Sequence, residues 1–284
     1  MTNFNYLKYG ALLLLLIALG IPIFPDMFYQ WIEDPDNSHC ILIPFVSIFL
    51  GYRYAKTVTK ETIKPYGPGV IFLVISLFIY VISAAGEIAL FARIAFVLIL
   101  ISLAVFNLGL DAVRRIYFPL VFLFFMIPTP ITLYSMIAFP LQIFASKVSA
   151  NVIYSIGIPV IREGNVLHLT NGSLEVAEAC SGIRSLVSYI TLGVFFVHLS
   201  RTSLAKKILL LCSTIPLALM ANIVRISSSG ILAHFYGYRV AEGFLHEFSG
   251  MAVFMLGIIL MLLLNTLLSR ISFTPFHFPS IKRG

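Results

Sequence analysis

Long apolar blocks alternate with short polar segments along most of the chain. A helix that crosses a bilayer needs about 20 mostly apolar residues, and eight blocks come close to this length. They predict spans at roughly 9–25, 40–56, 68–85, 88–109, 116–134, 181–199, 207–226 and 248–268. The pattern therefore predicts an all-α, polytopic transmembrane helical bundle.

A mixed segment follows the fifth block. Residues 135–160 combine apolar stretches with Gln142, Lys147 and Asn151, and residues 161–179 are plainly polar. If 135–160 crossed the membrane, the enrichment of Lys and Arg on the cytoplasmic side would not hold for the later segments. We therefore expect 135–160 to be an amphipathic or re-entrant segment on the outer face. A ninth crossing is the alternative. The prediction is one integral membrane domain over 1–284, with a polar outer segment at about 135–180 and no separate soluble domain.

Composition supports membrane insertion. Of the 284 residues, 60% are hydrophobic and 11% are charged, and the mean hydropathy is +0.99. A soluble protein of this length could not keep so much apolar surface away from water. The net charge of +7 could suggest a nucleic-acid partner. However, the basic residues form short clusters between apolar blocks instead of one stripe, so no nucleic-acid binding is expected.

The basic clusters instead indicate the orientation of the spans, because cytoplasmic segments are enriched in Lys and Arg. With the N-terminus inside, 13 of the 19 basic residues lie in inner segments. Of the 12 acidic residues, only Glu61 and Asp111 lie there. We therefore expect both termini on the cytoplasmic side. The inner basic residues are Lys8, Arg53, Lys56, Lys60, Lys64, Arg114, Arg115, Arg201, Lys206, Lys207, Arg270, Lys282 and Arg283.

Three chemically capable residues from different spans are expected at one depth. We counted from the basic residue at the inner end of each span, at about 1.5 Å per helical residue. On this count Cys180 lies about 31 Å away, Arg225 about 27 Å and His246 about 36 Å. The hydrocarbon core is about 30 Å thick. A thiol, a guanidinium and an imidazole are therefore predicted to meet at the outer boundary of the membrane.

The surroundings of Cys180 favour a reactive thiol. Cys180 opens a helix in the segment EACSGIRSL, where free backbone N–H groups stabilise a thiolate. Arg184 follows four residues later on the same helix face and adds positive potential. Glu178 is a further supporting candidate in this segment. The alternative is an inert cysteine at a span edge.

Arg225 belongs to a polar stripe. Asn222, Arg225 and Ser229 recur at i, i+3 and i+7 on an otherwise apolar helix, and such stripes usually face a bundle interior or a wet cavity. The alternative is an arginine that extends to the lipid head groups. His246 precedes an apolar block, and its alternative role is to cap that helix or to pair with a neighbouring glutamate.

Together, these groups suit acyl transfer. A thiolate attacks an acyl carbon, and a histidine protonates the leaving amine and later deprotonates the incoming nucleophile. An arginine stabilises the oxyanion or binds a substrate carbonyl. None of the 3 Cys and 6 His residues shows metal-ligand spacing, so neither a metal nor another cofactor is expected.

The segments that carry these residues also resemble a known family. EVAEACSGIRSL, ANIVRI and HEFSG are similar to the three signature regions of the exosortase/archaeosortase family of membrane-embedded cysteine transpeptidases. WIEDPDNSHCILIPF and FMIPTP are similar to further family segments. By this resemblance the family nucleophile falls on Cys180 and the family arginine on Arg225. The third position falls on His246, which favours the bacterial exosortases, because archaeosortases have an arginine there. The SHC of the upstream segment departs from the typical SHG, which leaves the subtype open.

The resemblance implies a function and a cellular location. Exosortases process exported proteins that carry a C-terminal sorting tail of the PEP-CTERM type: a Pro-Glu-Pro motif, one transmembrane helix and a basic cluster. The chain would then be a thiol protease or transpeptidase of the bacterial cytoplasmic (inner) membrane, with its active site facing the periplasm or the outside. Its expected partners are tail-bearing substrates, the lipid bilayer and an acceptor nucleophile, which could be water, an amine or a lipid-linked sugar.

Two other function classes stay open at this point. A transporter could bind an anionic solute through Arg225, although it would place its polar groups near the bilayer midplane and often repeats one half in the other. An enzyme of polysaccharide or lipid-linked sugar assembly would usually carry long outer loops with acidic catalytic groups. Transport that survives alkylation of Cys180 would favour the first of these.

Overall fold

A computed structural model describes residues 2–34, 36–59, 61–170, 172–176, 183–200, 202–237 and 244–270. Most of these residues are helical, and a small β-sheet lies between residues 160 and 175. The chain divides into two compact units, Met1–Tyr134 and Ser135–Gly284.

The first unit is built from helices. These are α1 (Thr2–Gly20), α2 (Phe24–Glu33), α3 (Leu42–Ala55), α4 (Gly69–Ala85), α5 (Ala89–Leu108), α6 (Leu110–Arg115) and α7 (Tyr117–Phe122), with 3-10 helices at Ser38–Ile41 and Leu123–Met126. The axes of α1 and α2 differ by 60°. Pro25 lies in the first turn of α2, where its missing N–H costs no helical hydrogen bond, so α2 begins as a new helix.

α4 and α5 pack as neighbours in this unit, joined by a short turn. Gly69 allows their close approach, because a Cβ there would lie 3.0 Å from the Phe106 backbone. Further along the pair, the Ser76 and Ser102 hydroxyls lie 3.4 Å apart. In an apolar helix pair, such small residues permit close backbone packing.

The second unit combines helices with a sheet. It contains α8 (Ile131–Ser155, whose first turn belongs to the first unit), β1 (Val160–Glu163), β2 (Val166–Leu169), β3 (Gly172–Glu175), α9 (Ile183–Leu199), α10 (Leu204–Tyr236) and α11 (Phe244–Arg270). The strands form one antiparallel sheet in the order β1-β2-β3. Two residues connect each strand to the next, and Gly164 in the first connection has a φ of 61°, a conformation that glycine adopts without strain.

One face of the sheet is buried against two helices. Leu167, Leu174 and Val176 belong to the same hydrophobic cluster as Ile153 of α8 and Ile226 of α10. α9, α10 and α11 pack together around a second cluster that contains Leu210, Met261 and Leu268. The sheet is therefore fixed to the same helix that carries the predicted site residue Arg225.

Six of the eight predicted spans coincide with helices, but 9–25 contains the break between α1 and α2, and 116–134 contains the non-helical residues 127–130. The number of crossings stays a prediction. By length and composition, three helices in the described part of the chain can cross a membrane: Ala89–Leu108, Ser135–Ser155 and Leu204–Tyr236. The bent pair Gly10–Gly20 and Phe24–Glu33 would add a fourth. Shorter apolar helices occupy Gly69–Ala85, Tyr117–Met126, Leu186–Leu199 and Phe254–Leu268. These findings support an all-α membrane protein, without testing the count of eight.

For the segment 135–160, the structure is compatible with an amphipathic helix and with a crossing, but not with a re-entrant loop. Ser135–Ser155 belongs to one continuous helix, even though Pro140 lies inside it, so this stretch does not turn back on itself as a re-entrant loop. By length and composition it qualifies as a crossing, the alternative left open above. No strands were expected in 160–175, where the structure has the sheet.

Candidate active site

The polar stripe predicted on α10 is present in the structure. Asn222 and Ser229 are each 3% exposed, and Arg225 is half-buried. Arg225 lies 21 residues after Leu204, about 32 Å along the helix axis. α10 continues past Arg225 for three further turns and ends before Gly237, whose φ is 87°. The buried amide of Asn222 thus lies one turn from the guanidinium of Arg225, in a helix that is otherwise mostly apolar.

The contacts between α9 and α10 define their relative register. The two helices are joined by a four-residue connection, 200–203, and therefore run in opposite directions. Gly193 of α9 faces Leu211 and Thr214 of α10, and a Cβ on Gly193 would lie 2.8 Å from Thr214 Cγ2. Arg225 is 11 to 14 residues beyond these partners. At about 1.5 Å per residue, Arg225 therefore lies roughly 2 to 6 Å beyond the first residue of α9 along the helix axis.

The register of α11 against α9 follows from a second set of contacts. The Tyr189 hydroxyl donates a hydrogen bond to the Phe254 carbonyl, 3.0 Å away, and also fills the space beside Gly257. Four residues beyond Tyr189 and Gly257, Gly193 faces Met261, and a Cβ on Gly193 would lie 3.6 Å from Met261 Cε. The two helices therefore run parallel. Position 246 is 8 to 11 residues before 254–257, so its backbone lies roughly 3 to 8 Å beyond the first residue of α9 along the helix axis.

The contacts of α9 with α10 and of α9 with α11 thus place Arg225 and position 246 at the same height along the bundle. Arg225 on α10 and the backbone of position 246 on α11 lie within about one helical turn of each other along the bundle axis, just before Ile183. Residue counting from the basic clusters predicts this level too. Arg184 is the second residue of α9, but its side chain and that of His246 are outside the described part of the structure. Cys180 and Glu178 also lie outside the described residues.

A buried polar face on α8 escaped the sequence analysis. Gln142, Ser146 and Ser149 are 3%, 0% and 0% exposed, and they recur at i, i+4 and i+7. The Ser149 hydroxyl donates to the carbonyl of Ile223, in the turn of α10 that carries Asn222 and Arg225, at 3.3 Å. The Ser146 hydroxyl donates to the Gly164 carbonyl at 3.0 Å and so ties the first hairpin to α8. The spacing of these three residues in the sequence could have predicted a polar face on this helix.

In the first unit, the two upstream segments that resemble family regions contact each other. The Trp31 indole N–H donates to the Met126 carbonyl at 3.0 Å, and the Thr129 backbone N–H donates to Asn37 Oδ1 at 3.3 Å. Asn37 in turn donates to Asp34 Oδ2 at 2.6 Å. The segment around Asn37 is therefore anchored on the FMIPTP segment by hydrogen bonds from both sides.

A polar cavity of about 540 Å³ opens beside these contacts within the first unit. Arg93 of α5 has a side chain that is 6% exposed and forms an ion pair with Asp26. Its guanidinium also donates to Gln30 Oε1 at 3.3 Å. Three further carboxylates, Asp34, Asp36 and Glu87, contribute to the lining of the cavity. Close by in the chain, burial lowers the pKa of His39, partly offset by Asp36.

Among the described residues, no group of three or more His, Cys, Asp and Glu side chains is arranged to hold a metal ion. The sequence matches the family described as transmembrane exosortase over residues 31–263. Neither a curated protein nor a solved structure matches the chain.

Proposed function

The chain belongs to the transmembrane exosortase family, and from this premise we propose that it is a cysteine transpeptidase or protease of the bacterial inner membrane. Its substrates are exported proteins with a C-terminal sorting tail of the PEP-CTERM type. Cleavage takes place at the outer membrane–water interface.

In the proposed reaction, Cys180 is the nucleophile. Its thiolate adds to the carbonyl carbon of the scissile peptide bond, and the carbon–nitrogen bond breaks as His246 protonates the leaving amine. The acceptor then attacks the thioester, its proton passes to His246, and the carbon–sulfur bond breaks to restore the thiolate. Arg225 stabilises the oxyanion in both tetrahedral stages. Whether the acceptor is water, an amine or a lipid-linked sugar decides between hydrolysis and transpeptidation.

The observation that carries this proposal is the common level of Arg225 and position 246 at the start of α9. Three helices from different parts of the chain are held in a register that favours a meeting of their polar positions. The short segment before Ile183 contains Cys180. In an apolar unit these would be costly places for polar groups without a functional use.

The immediate surroundings of Arg225 suit oxyanion stabilisation. Asn222 is buried one turn away, and Ser149 holds the carbonyl of the intervening turn. A half-buried guanidinium is less hydrated than an exposed one, so less solvent has to reorganise when charge develops on the substrate. Arg184 and Glu178 are proposed as supporting groups, Arg184 because its charge favours the thiolate.

In this scheme, the thickness of the membrane determines where the cleavage motif of the substrate lies. A sorting tail inserts its helix beside the bundle, with its basic end on the cytoplasmic side. A span of about 20 residues then sets the preceding motif at the outer interface, the depth predicted for Cys180.

The proposal is tested by co-expression of the protein with a tail-bearing substrate, followed by mass spectrometry of the substrate's new C-terminus. Cys180→Ala should abolish processing while the protein still accumulates in the membrane. Cys212→Ala, which changes an exposed cysteine of α10, is the matched control and should process normally. Normal processing by the Cys180→Ala protein would overturn the proposal, and solute transport that persists after alkylation of Cys180 would favour a transporter instead.

A further inference from the structure

The small sheet has two edges in the described part of the chain, formed by β1 and β3. In β3, Gly172, Ser173 and Glu175 are exposed, whereas Leu174 is buried on the core side of the sheet. An edge strand carries a row of backbone donors and acceptors that another extended chain can pair with.

The ladder defines which backbone groups of β3 point away from β2. In an antiparallel pair, every second residue pair exchanges both backbone hydrogen bonds. A two-residue turn makes Leu169–Gly172 such a pair, because these residues close the hairpin. The hydrogen bond from the Val176 N–H to the Asn165 carbonyl, at 2.9 Å, falls in the same alternating series.

It follows that the β3 residues that alternate with these hydrogen-bonded positions point their backbone N–H and C=O groups away from β2. The backbone N–H and C=O groups of Ser173 and Glu175 point to the open edge of β3. By the same alternation, Arg162 is the matching position on the edge of β1.

The sheet is held beyond Arg225 along α10. Ile226 and Ala233 share its hydrophobic cluster, and Thr170 Oγ1 lies 3.3 Å from His234 Nδ1. This part of α10 follows Arg225 by up to three turns, so in the predicted orientation the sheet lies just outside the membrane. A substrate segment that leaves the bilayer beside Arg225 would therefore be level with the sheet.

The geometry points to the open edge of β3 as a docking strand for an extended peptide, namely the stretch of the substrate that immediately precedes its membrane helix. This inference rests on the proposed function. From Glu175 to Cys180 there are five residues, at most about 17 Å of chain. A peptide paired with β3 would therefore have its scissile bond within reach of the thiol. The other edge strand, β1, is connected to α8 and is not close to Cys180 in the chain.

Main-chain pairing gives such a site tolerance for different substrate sequences, since the hydrogen bonds involve only backbone groups. Side-chain contacts then select the motif at alternate positions. This division suits an enzyme that processes many proteins sharing one short tail motif.

The test removes one outward N–H without changing the inner ladder. Glu175→Pro deletes the N–H at the open edge, and the preceding residue keeps an extended conformation. Glu175→Ala removes the carboxylate but keeps the N–H, and Arg162→Pro makes the same backbone change on the other edge. With purified protein and a tail peptide, Glu175→Pro should raise KM roughly fivefold to tenfold, as expected for one lost hydrogen bond, while both controls stay within about twofold of wild type.

A second measurement does not depend on turnover. A photoreactive phenylalanine at Ser173, in a Cys180→Ala background, should crosslink to substrate residues just before the membrane helix, and the same probe at Arg162 should not. If Cys180→Ala is inactive but Glu175→Pro matches Glu175→Ala and crosslinking is equal at both positions, the docking strand is overturned and the proposed function stands. Processing by Cys180→Ala would instead refute the proposed function itself.

Discussion

The hydroxyl of Tyr189 on α9 donates a hydrogen bond to the Phe254 carbonyl on α11, and the rings of the two residues stack with their centroids 5.1 Å apart. Gly257, one turn further along α11, leaves the space that the hydroxyl occupies. This contact sets the register of α11 against α9, and therefore the level of position 246 relative to the start of α9.

We expect Gly257→Ala to destabilise the second unit. The new Cβ would overlap the Tyr189 hydroxyl, and overpacking of this kind costs about 1–3 kcal/mol. The midpoint of thermal unfolding in detergent should fall, and substrate processing should fall with it because the register of α11 shifts. Gly51→Ala on α3 is the matched control, since no atom lies within 4 Å of the added Cβ. Equal midpoints for the two variants would contradict the role assigned to Gly257.

Arg225→Ala should reduce the rate of processing by about 10²–10³-fold, the usual effect of losing one oxyanion donor. Arg225→Lys should recover only part of this loss, because an ammonium cannot reproduce the fixed fork of a guanidinium. The assay is single-turnover cleavage of a tail peptide with the protein in lipid vesicles. Arg114→Ala, at an exposed arginine of α6, should behave as wild type. An Arg225→Ala protein with an unchanged rate would exclude a catalytic role for this residue.

Trp31→Phe should weaken the first unit. The indole N–H that donates to the Met126 carbonyl is buried, and an unsatisfied buried acceptor costs about 1–3 kcal/mol. The expected result is a lower midpoint of thermal unfolding. Phe28→Leu, at a side chain that is 52% exposed, changes a nearby aromatic residue without removing a hydrogen bond and should have a smaller effect. If both variants unfold at the same temperature, the Trp31 bond does not stabilise this unit.

His39 should make the protein sensitive to acid. Burial lowers the pKa of His39 below its ordinary value of 6.5, so the folded protein favours the neutral ring. Stability from this preference is complete above pH 6.5 and is lost as the pH falls below it, because the unfolded chain then binds the proton more readily. Thermal unfolding between pH 7.5 and about 5 should show a shallower acid decline for His39→Gln and His39→Asn than for wild type. Identical declines would show that His39 does not contribute.

The hydrophobic pattern alone determined much of the fold. Runs of apolar residues such as 68–85 and 88–109 form helices within one or two residues of the predicted bounds, Gly69–Ala85 and Ala89–Leu108, because burying backbone groups in a lipid setting requires helical hydrogen bonding. Motif segments around Cys180, Arg225 and His246 also indicated the family, which the match over 31–263 confirms. The roles of these residues stay predictions.

Contacts between distant segments could not be derived from local pattern. The hydrophobic period does not tell which helix faces which, so the parallel register of α9 and α11 became visible only through Tyr189 and Phe254. The sheet at 160–175 was missed although the dipeptide Gly164-Asn165, which connects β1 and β2, is typical of tight hairpins. Its strands are only four residues long and acquire their stability from packing on Ile153 and Ile226. Sequence therefore determined which residues can be buried and which can react, whereas tertiary packing decided their register and gave the unit an open strand edge near Cys180 in the chain.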